Sequence, residues 1–387
     1  MSVLTIMSWL LAAPAIAVTS YLTIELAAGL RTSRTKTDRK VEAAQSVAVL
    51  IPAHNEGSVI KRTVSDLRKK ALEVRILVVA DNCSDETASE ARSAGAEVVE
   101  RNDVTRRGKG YALAFGRETL AASPPSIVII LDADCTVSHS FIEEMTTAVA
   151  ASGTPAQASN LFEPDTTVST PVQISNFAML VKNLFRMRGL SRLGGTVALL
   201  GTGMAFPWRV FAGLPLATGD ATEDIKLTVD HISAGGSVAF AERAQVWSSA
   251  ESTKDTAAQR QRWEHGFLAH SVLYGVPNLA RGLRDRSRKQ IALALHLLVP
   301  PLALLVVAVL ALLCVTGVAA LLGASASPAV ALIITLAGLV LLLCAAYMAE
   351  GRPYLSAKSL ASLPFYLAWK LPIYLNFLRR RQRSWDD

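Results

Sequence analysis

Three long apolar runs without a charged residue constrain this sequence more than any other feature. They cover residues 3–24, 291–323 and 329–349 of the 387-residue chain, which is 22, 33 and 21 residues. About 20 apolar residues suffice for a helix to cross the hydrocarbon core of a bilayer. The other residues have the charge density of an ordinary globular domain. The sequence therefore predicts one large domain attached to about three transmembrane helices, which excludes a purely soluble enzyme, a disordered chain and a many-helix transporter.

Basic residues flank the apolar runs on the side that we expect to face the cytoplasm. Residues 31–40 contain five basic residues and one acid, and residues 281–289 contain the same numbers. Because basic flanks stay on the cytoplasmic side, both clusters predict that the intervening domain is cytoplasmic. A cleaved signal peptide is the alternative interpretation of residues 3–24, but no Lys or Arg precedes that run. We expect a multi-pass protein of the inner (plasma) membrane.

The segment 360–378 is apolar but is interrupted by Pro364, Lys370 and Pro372, and four arginines follow it. A fourth span would place those arginines outside, so an interfacial or re-entrant helix is the preferred interpretation. A second surface helix is predicted over residues 177–190, with its basic side chains resting on anionic lipid.

These patterns divide the chain into five parts. They are an N-terminal transmembrane anchor (1–30), a catalytic domain (45–250), an interfacial helix region (251–289), a transmembrane hairpin (290–350), and an interfacial or re-entrant helix with a basic tail (351–387).

Within the large domain, short apolar runs alternate with helical patterns. Strands are predicted over 47–51, 75–80, 96–99 and 127–131, with helices over 58–69, 84–94 and 109–121 between them. This alternation predicts an α/β domain with a parallel, doubly wound sheet. Ligands of such sheets bind beyond the carboxyl ends of the strands.

Acidic and amide side chains follow these strands where the ligand is expected. Asn55 and Glu56 follow the first strand, Asp81 the second, and Asp132 and Asp134 the fourth. Two carboxylates two residues apart offer hard oxygen ligands to a divalent cation, which could neutralise a diphosphate. The alternative is a loop acid that caps the next helix, near Ser138.

Taken together and in order, five motifs resemble the family 2 glycosyltransferases, in particular the membrane-integrated synthases of the cellulose, hyaluronan, chitin-oligosaccharide and poly-N-acetylglucosamine type. The resemblance covers roughly residues 45–285. The motifs are Ile51-Pro52-Ala53-His54-Asn55-Glu56, Asp81 with Ser84-Asp85, Asp132-Ala133-Asp134, Thr222-Glu223-Asp224, and Gln259-Arg260-Gln261-Arg262-Trp263.

That resemblance implies a GT-A fold of Rossmann-like character, a UDP-sugar donor, and Mg²⁺ or Mn²⁺ as cofactor. It places the donor in a pocket formed by Pro52, Asn55, Glu56 and Asp81, and it assigns the metal-bound diphosphate to Asp132 and Asp134. Lys109, in Gly108-Lys109-Gly110, resembles a family segment near the donor; a simple helix-start turn is the alternative.

The same resemblance gives the acceptor side its residues. Asp224 would be the catalytic base that takes the proton of the acceptor hydroxyl, unless it only caps its helix. Acceptor or diphosphate binding is assigned to Glu223, Gln259, Arg262 and Trp263. The last three share one face if helical, and their alternative role is to anchor a helix at the membrane surface.

We therefore expect an inverting hexosyltransferase that extends a β-linked polysaccharide or oligosaccharide at the cytoplasmic membrane face. Three spans are few for an export channel, so a short product, a partner subunit or a homo-oligomer would accompany this activity. Transfer of one sugar to a membrane lipid, such as diacylglycerol or a polyprenyl phosphate, is the alternative. No nucleic-acid partner is expected.

Overall fold

The computed structural model describes residues 2–32, 46–71, 73–219, 223–249, 268, 271–368 and 370. The chain forms two compact units. Among the described residues, the helical unit comprises residues 2–32, 164–194, 268, 271–368 and 370, and the sheet unit comprises residues 46–71, 73–163, 195–219 and 223–249. Residues 164–194 thus belong with the apolar helices, although they lie within the stretch expected to form the catalytic domain.

The elements follow one another along the chain in an order that alternates strands and helices up to β4. They are α1 Val3–Gly29, β1 Val47–Ala53, α2 Ile60–Lys70, β2 Arg75–Asp81, α3 Thr87–Ser93, β3 Glu97–Arg101, α4 Lys109–Ala121, β4 Ile127–Ile130, β5 Thr136–Val137, α5 Phe141–Ser152, β6 Ala156–Phe162, α6 Thr170–Leu180, a π-helical turn Val181–Phe185, α7 Arg186–Gly194, β7 Met204–Pro207, α8 Trp208–Phe211, α9 Glu223–Ser233, β8 Ala239–Ser248, α10 over 271–284, α11 Arg288–Leu298, α12 Leu302–Leu321, α13 Ser327–Ala346, a π-helical turn Tyr347–Gly351, and α14 Ala357–Ala361.

The sheet unit contains one mixed sheet in the order β3-β2-β1-β4-β7-β6-β8-β5. Its first four strands are parallel, with Leu50 of β1 beside Leu77 of β2 and Ile130 of β4. Residues on both faces of β1 are fully buried, as the continuous apolar run indicates for a strand covered by helices on both sides. The predicted α/β fold is confirmed.

The second half of the sheet departs from the predicted doubly wound pattern. β7 pairs antiparallel with β4 and with β6, and β5 pairs antiparallel with β8. Only β6 and β8 are parallel neighbours there, with a register shift between Ala158 and Ser159. The sheet is therefore mixed rather than wholly parallel.

In the described part of the helical unit, three helices are long and apolar enough to cross a membrane: Val3–Gly29, Leu302–Leu321 and Ser327–Gly351. The apolar run over 291–323 is divided between α11 and α12 at Pro300 and Pro301. Proline has no backbone N–H to continue a helix but is compatible with a helix start, so the break falls at this pair.

The prediction that the basic residues of 177–190 rest on lipid is wrong for two of them. Arg186 and Arg188 are only 5% and 6% exposed. The Arg186 guanidinium contacts Glu25 of α1 at 2.5 Å, and Arg188 contacts Glu350 at 2.6 Å. These arginines therefore join the helices of this unit to one another and do not rest on lipid.

Candidate active site

The loops after β1 and β2 are joined by hydrogen bonds at the carboxyl edge of the sheet. Asn55 adopts a left-handed backbone conformation with φ of 55°, and its side-chain oxygen accepts a 2.8 Å hydrogen bond from the Ser84 amide. The Glu56 amide donates to Thr87 Oγ1 at 2.8 Å, and the Gly57 amide donates to Asp85 at 2.9 Å. These bonds fix the loop of Asn55 and Glu56, which follows Pro52 of β1, beside the end of β2.

Asp81 ends β2, and its buried carboxylate is already paired. Arg101, the residue beside it in the parallel register of β3, donates a 2.6 Å hydrogen bond to Asp81 Oδ1. The Arg101 guanidinium also contacts Asp103 at 3.1 Å and lies 5.6 Å from the centre of the Tyr111 ring. Arg101 is not among the residues predicted from the sequence, although its position just after the predicted third strand is the signal that could have found it.

Asp132 follows β4 and is held from two directions. Its amide donates a 3.0 Å hydrogen bond to Thr202 Oγ1, and its carboxylate accepts a hydrogen bond from Lys109 Nζ. Lys109 is the first residue of α4, and its ammonium group also donates to the Gly201 carbonyl at 3.1 Å.

Asp224 approaches the same lysine from α9. A Cβ atom placed on Gly201 would lie 3.7 Å from both Asp224 Oδ2 and Lys109 Nζ. Gly201 has a φ of 80°, where side chains are strained, so glycine both forms this turn and leaves room for the two charged groups. The structure thus brings Asp224 and Asp132, from distant parts of the sequence, near one ammonium group, whose charge both carboxylates favour.

A buried amide that the sequence analysis missed supports this loop. Gln157 of β6 is 0% exposed. Its Nε2 donates a 2.9 Å hydrogen bond to the Thr202 carbonyl, and its Oε1 accepts a 2.9 Å bond from the Leu200 amide. Gln157 therefore fixes the turn that holds Lys109 and Asp132. No signal in the sequence marked it, because Ser159 and Asn160 of the same strand are polar as well.

The carboxylates of this cleft carry more negative charge than nearby cations balance. Burial raises the pKa of Glu56 to about 7, and the charges of Asp134 and Asp132 contribute. Burial also raises the pKa of Asp134, with the charge of Asp132 adding to it. A bound cation would lower the pKa of these carboxyl groups and so stabilise their ionised form.

Glu223, which the sequence predicts to lie on the acceptor side, shows the same effect. Burial raises the pKa of Glu223 to about 7. The positive charge of Lys109 lowers this pKa, and the negative charge of Asp224 raises it. Burial alone would lower the pKa of Lys109, but the charges of Asp132 and Glu223 raise it above its ordinary value. Lys109 is therefore charged at neutral pH.

The raised pKa of Glu56 predicts how the stability of the metal-free protein depends on pH. The folded state holds a proton on Glu56 between pH about 4.5 and about 7, where the unfolded state has released it. The free energy of unfolding should therefore fall across this range as pH rises. The Glu56→Gln variant should show a smaller fall in melting temperature from pH 5 to pH 8 than the wild type. A fall of equal size in both proteins would contradict this assignment.

The residues at this edge fit a divalent cation of the Mg²⁺ or Mn²⁺ type. Asp132 and Asp134 provide hard oxygen donors: Asp132 pairs with Lys109, and the raised pKa of Asp134 shows that the ionised form of this second carboxyl is disfavoured without a cation. Within the described residues, no three His, Cys, Asp or Glu side chains gather to form a metal site on their own. A cation here would thus complete its coordination with water or ligand phosphate oxygens, as Mg²⁺ commonly does.

Part of the predicted acceptor site lies outside the described residues. Gln259, Arg262 and Trp263 belong to that part, as does Thr222 next to Glu223. Their assigned roles stay predictions.

A family profile and two known proteins match parts of this sequence. Residues 44–266 match the profile described as glycosyltransferase-like family 2. A 4,4'-diaponeurosporenoate glycosyltransferase of Staphylococcus haemolyticus is 34% identical over 100 residues, which are 25% of this chain and 26% of that protein. Protein RfbJ of Shigella flexneri is 31% identical over 100 residues, 26% of this chain and 73% of that protein.

A solved structure matches nearly the whole chain. It is a mannosyltransferase from Pyrobaculum calidifontis in complex with GDP-Man and Mn²⁺, with a TM-score of 0.55 at 20% identity; the match covers 97% of this chain and 99% of that chain. This likeness shows the shared fold. Since the family profile covers more than half of the sequence, including every described residue of the candidate site, the protein belongs to the glycosyltransferase-like family 2.

Proposed function

We propose that this protein is an inverting glycosyltransferase that moves a hexose or N-acetylhexosamine from a UDP-sugar to an acceptor at the cytoplasmic face of the inner (plasma) membrane. The observation that carries the proposal is the convergence of Asp132, Lys109 and Asp224 at the carboxyl edge of the sheet. Donor-binding and acceptor-activating groups would have to lie this close, because both act on one anomeric carbon.

Asp224 is the proposed general base. Its carboxylate accepts the proton of the acceptor hydroxyl while that oxygen forms a bond to the anomeric carbon of the sugar. The bond from the same carbon to the diphosphate oxygen breaks, and UDP leaves with the electron pair. Attack opposite the leaving group inverts the configuration. Asp224 Oδ2 lies on the side of Gly201, 3.7 Å from where a Cβ atom on that glycine would be, while Oδ1 accepts a 2.8 Å hydrogen bond from the Ile225 amide.

The donor diphosphate is proposed to lie between Asp132, Asp134 and Lys109. A divalent cation held by the two aspartates would offset the negative charge of the leaving diphosphate. The Lys109 ammonium, which now pairs with Asp132, is close enough to contact a phosphate oxygen in the same place. Asn55, Glu56 and Asp81 would hold the nucleotide at the ends of β1 and β2, with Arg101 fixing the Asp81 carboxylate.

A growing β-linked glycan is the proposed acceptor. The support for it is the Gln259-Arg260-Gln261-Arg262-Trp263 motif, whose indole and guanidinium groups suit a sugar ring and phosphate oxygens. A membrane lipid acceptor is the second candidate. The observation in its favour is that the described residues contain only three helices able to span a bilayer, which is few for a channel that exports a long chain.

The activity is tested with the purified full chain and a panel of radiolabelled UDP-sugars: glucose, galactose, N-acetylglucosamine and glucuronic acid. We expect one of them, with Mn²⁺ or Mg²⁺, to release UDP, and we expect EDTA to abolish that release. Inverted configuration at the new bond, determined by NMR, would support the proposed mechanism. A ladder of oligomers indicates a glycan acceptor, whereas one sugar per extracted lipid indicates the second candidate. Absence of UDP release from every donor, in the presence of membrane extract as a source of acceptor, would contradict the proposal.

A further inference from the structure

The helical unit contains an open groove of about 500 Å³ that the proposed sugar transfer does not use. Its walls are the last turns of α1, the end of α10 and the first turns of α11. Ile24, Leu283, Ile291 and Leu295 form its apolar lining. Ile24 and Leu283 are 55% and 61% exposed, so apolar surface in this groove has no partner within the described chain.

Two arginines lie at the edge of the same groove. The Arg288 guanidinium donates hydrogen bonds to the carbonyls of Leu193 and Arg192, so part of its donor capacity is used by backbone. Arg286 makes no side-chain hydrogen bond or ion pair with any residue that the structure describes. The acid of this segment, Asp285, is occupied by Arg284 at 2.8 Å. Positive charge at the groove is therefore not balanced locally.

The groove lies at the depth where the membrane–water interface is expected along α1 and α11. Tyr21 and Ile24 are in the last turns of the first apolar helix, directly before the basic residues of 31–40, and Arg286 and Arg288 precede the second apolar run. Tyr21 donates a 3.0 Å hydrogen bond to the Ala292 carbonyl, which joins the two walls. One side of the groove is thus expected at headgroup depth and the other at acyl-chain depth.

We propose that this groove binds an anionic glycerophospholipid of the bilayer, with the phosphate at Arg286 and an acyl chain along the apolar wall. An unpaired guanidinium is a strong and directional partner for a phosphate. The apolar wall favours an acyl chain, and the unbalanced charge favours a ligand with a net negative charge; the phosphate of a zwitterionic lipid is offset by the cation of its own headgroup. The bound lipid would fill the space between α1 and α11 as a fixed part of the helical unit.

The test measures lipid binding directly, by native mass spectrometry of the full chain in mild detergent, and is independent of sugar transfer. Phosphatidylglycerol and phosphatidylcholine with identical acyl chains are the probes. We expect one phosphatidylglycerol molecule to remain bound to the wild type. Loss of a basic contact at a membrane surface should weaken binding about fivefold in Arg286→Gln. Arg352→Gln removes the same charge from an exposed position of the helical unit outside the groove, where the guanidinium contacts Met348 Sδ, and should bind as the wild type does.

A second pair of variants tests the acyl-chain position. Leu283→Trp fills the apolar wall and should abolish retention of the lipid. Leu273→Trp, at a position 60% exposed on the same helix but outside the groove, should retain it. Equal retention of phosphatidylcholine, equal losses in Arg352→Gln and Arg286→Gln, or full retention in Leu283→Trp would overturn the proposal. Displacement of phosphatidylglycerol by an equimolar polyprenyl phosphate would also overturn it, because the groove would then belong to that lipid.

Discussion

Replacing Asp224 with asparagine is expected to lower kcat for sugar transfer by about 10²- to 10⁴-fold, the range that a general base contributes. Asparagine keeps the size of the side chain but cannot accept the proton of the acceptor hydroxyl. The affinity for UDP should stay within about twofold of the wild type, because Asp132, Asp134 and Lys109 remain in place. Transfer is measured as UDP release, and donor affinity by calorimetry with UDP and Mn²⁺.

Two comparisons make this experiment decisive. Asp230→Asn changes the same functional group on the same helix, at an exposed position paired with Lys226, and should leave kcat unchanged. Asp224 is the second residue of α9, and its Oδ1 accepts a 2.8 Å hydrogen bond from the Ile225 amide, which an asparagine oxygen can also accept. If Asp224 only stabilised the start of α9, the asparagine variant would keep its activity. Wild-type turnover in Asp224→Asn would therefore refute the assignment of Asp224 as the base.

The first half of the sheet could be predicted from the sequence because its signals are local. β1, β2 and β4 are continuous apolar runs, and polar residues come at or directly after the end of each strand. α4 begins and ends at the predicted residues 109 and 121. Parallel pairing alone brings the ends of adjacent strands to one edge, and at this edge the chain carries Asn55, Asp81 and Asp132.

The second half could not be predicted in the same way, because its strands depend on distant partners. β5 has only two residues and β7 has four, so neither shows a usable period. β6 includes Gln157, which is polar although it is completely buried, because its hydrogen bonds go to the loop at 200–202.

The buried arginines could not be recognised from the sequence for a related reason. A helix with several basic residues is typical of a membrane surface when only local pattern is available. The acids that pair with Arg186 and Arg188 are 161 and 162 residues away along the chain, in α1 and just after α13. A charge whose partner is so distant cannot be distinguished from a solvated one until the helices are assembled.

Replacing Lys109 with methionine is expected to give the largest loss of stability among single changes in the cleft. Methionine keeps the apolar part of the side chain but leaves Asp132, Glu223 and the Gly201 carbonyl without the ammonium group. The Lys109 and Asp132 side chains are 19% and 36% exposed, so solvent screens part of their attraction and the loss should be about 2 kcal/mol, less than for a fully buried pair. For a domain of this size that corresponds to a fall in melting temperature of roughly 4–8 °C without metal.

The same variant tests whether the cleft is built for a cation. Saturating Mn²⁺ alone, without UDP, should raise the melting temperature of Lys109→Met by more than that of the wild type, because bound metal supplies the positive charge that was removed and no longer competes with the ammonium group for Asp132. The loss of stability should also be smaller at pH 5 than at pH 8, since Glu223, with a pKa of about 7, is protonated at pH 5 and needs no counter-charge.

Lys226→Met is the matched control: this lysine is exposed and forms an i,i+4 pair with Asp230, so its loss should cost only about 0.3–0.5 kcal/mol. Equal melting temperatures for the two variants, or equal gains from Mn²⁺ in Lys109→Met and the wild type, would show that Lys109 does not balance a metal-binding set of carboxylates.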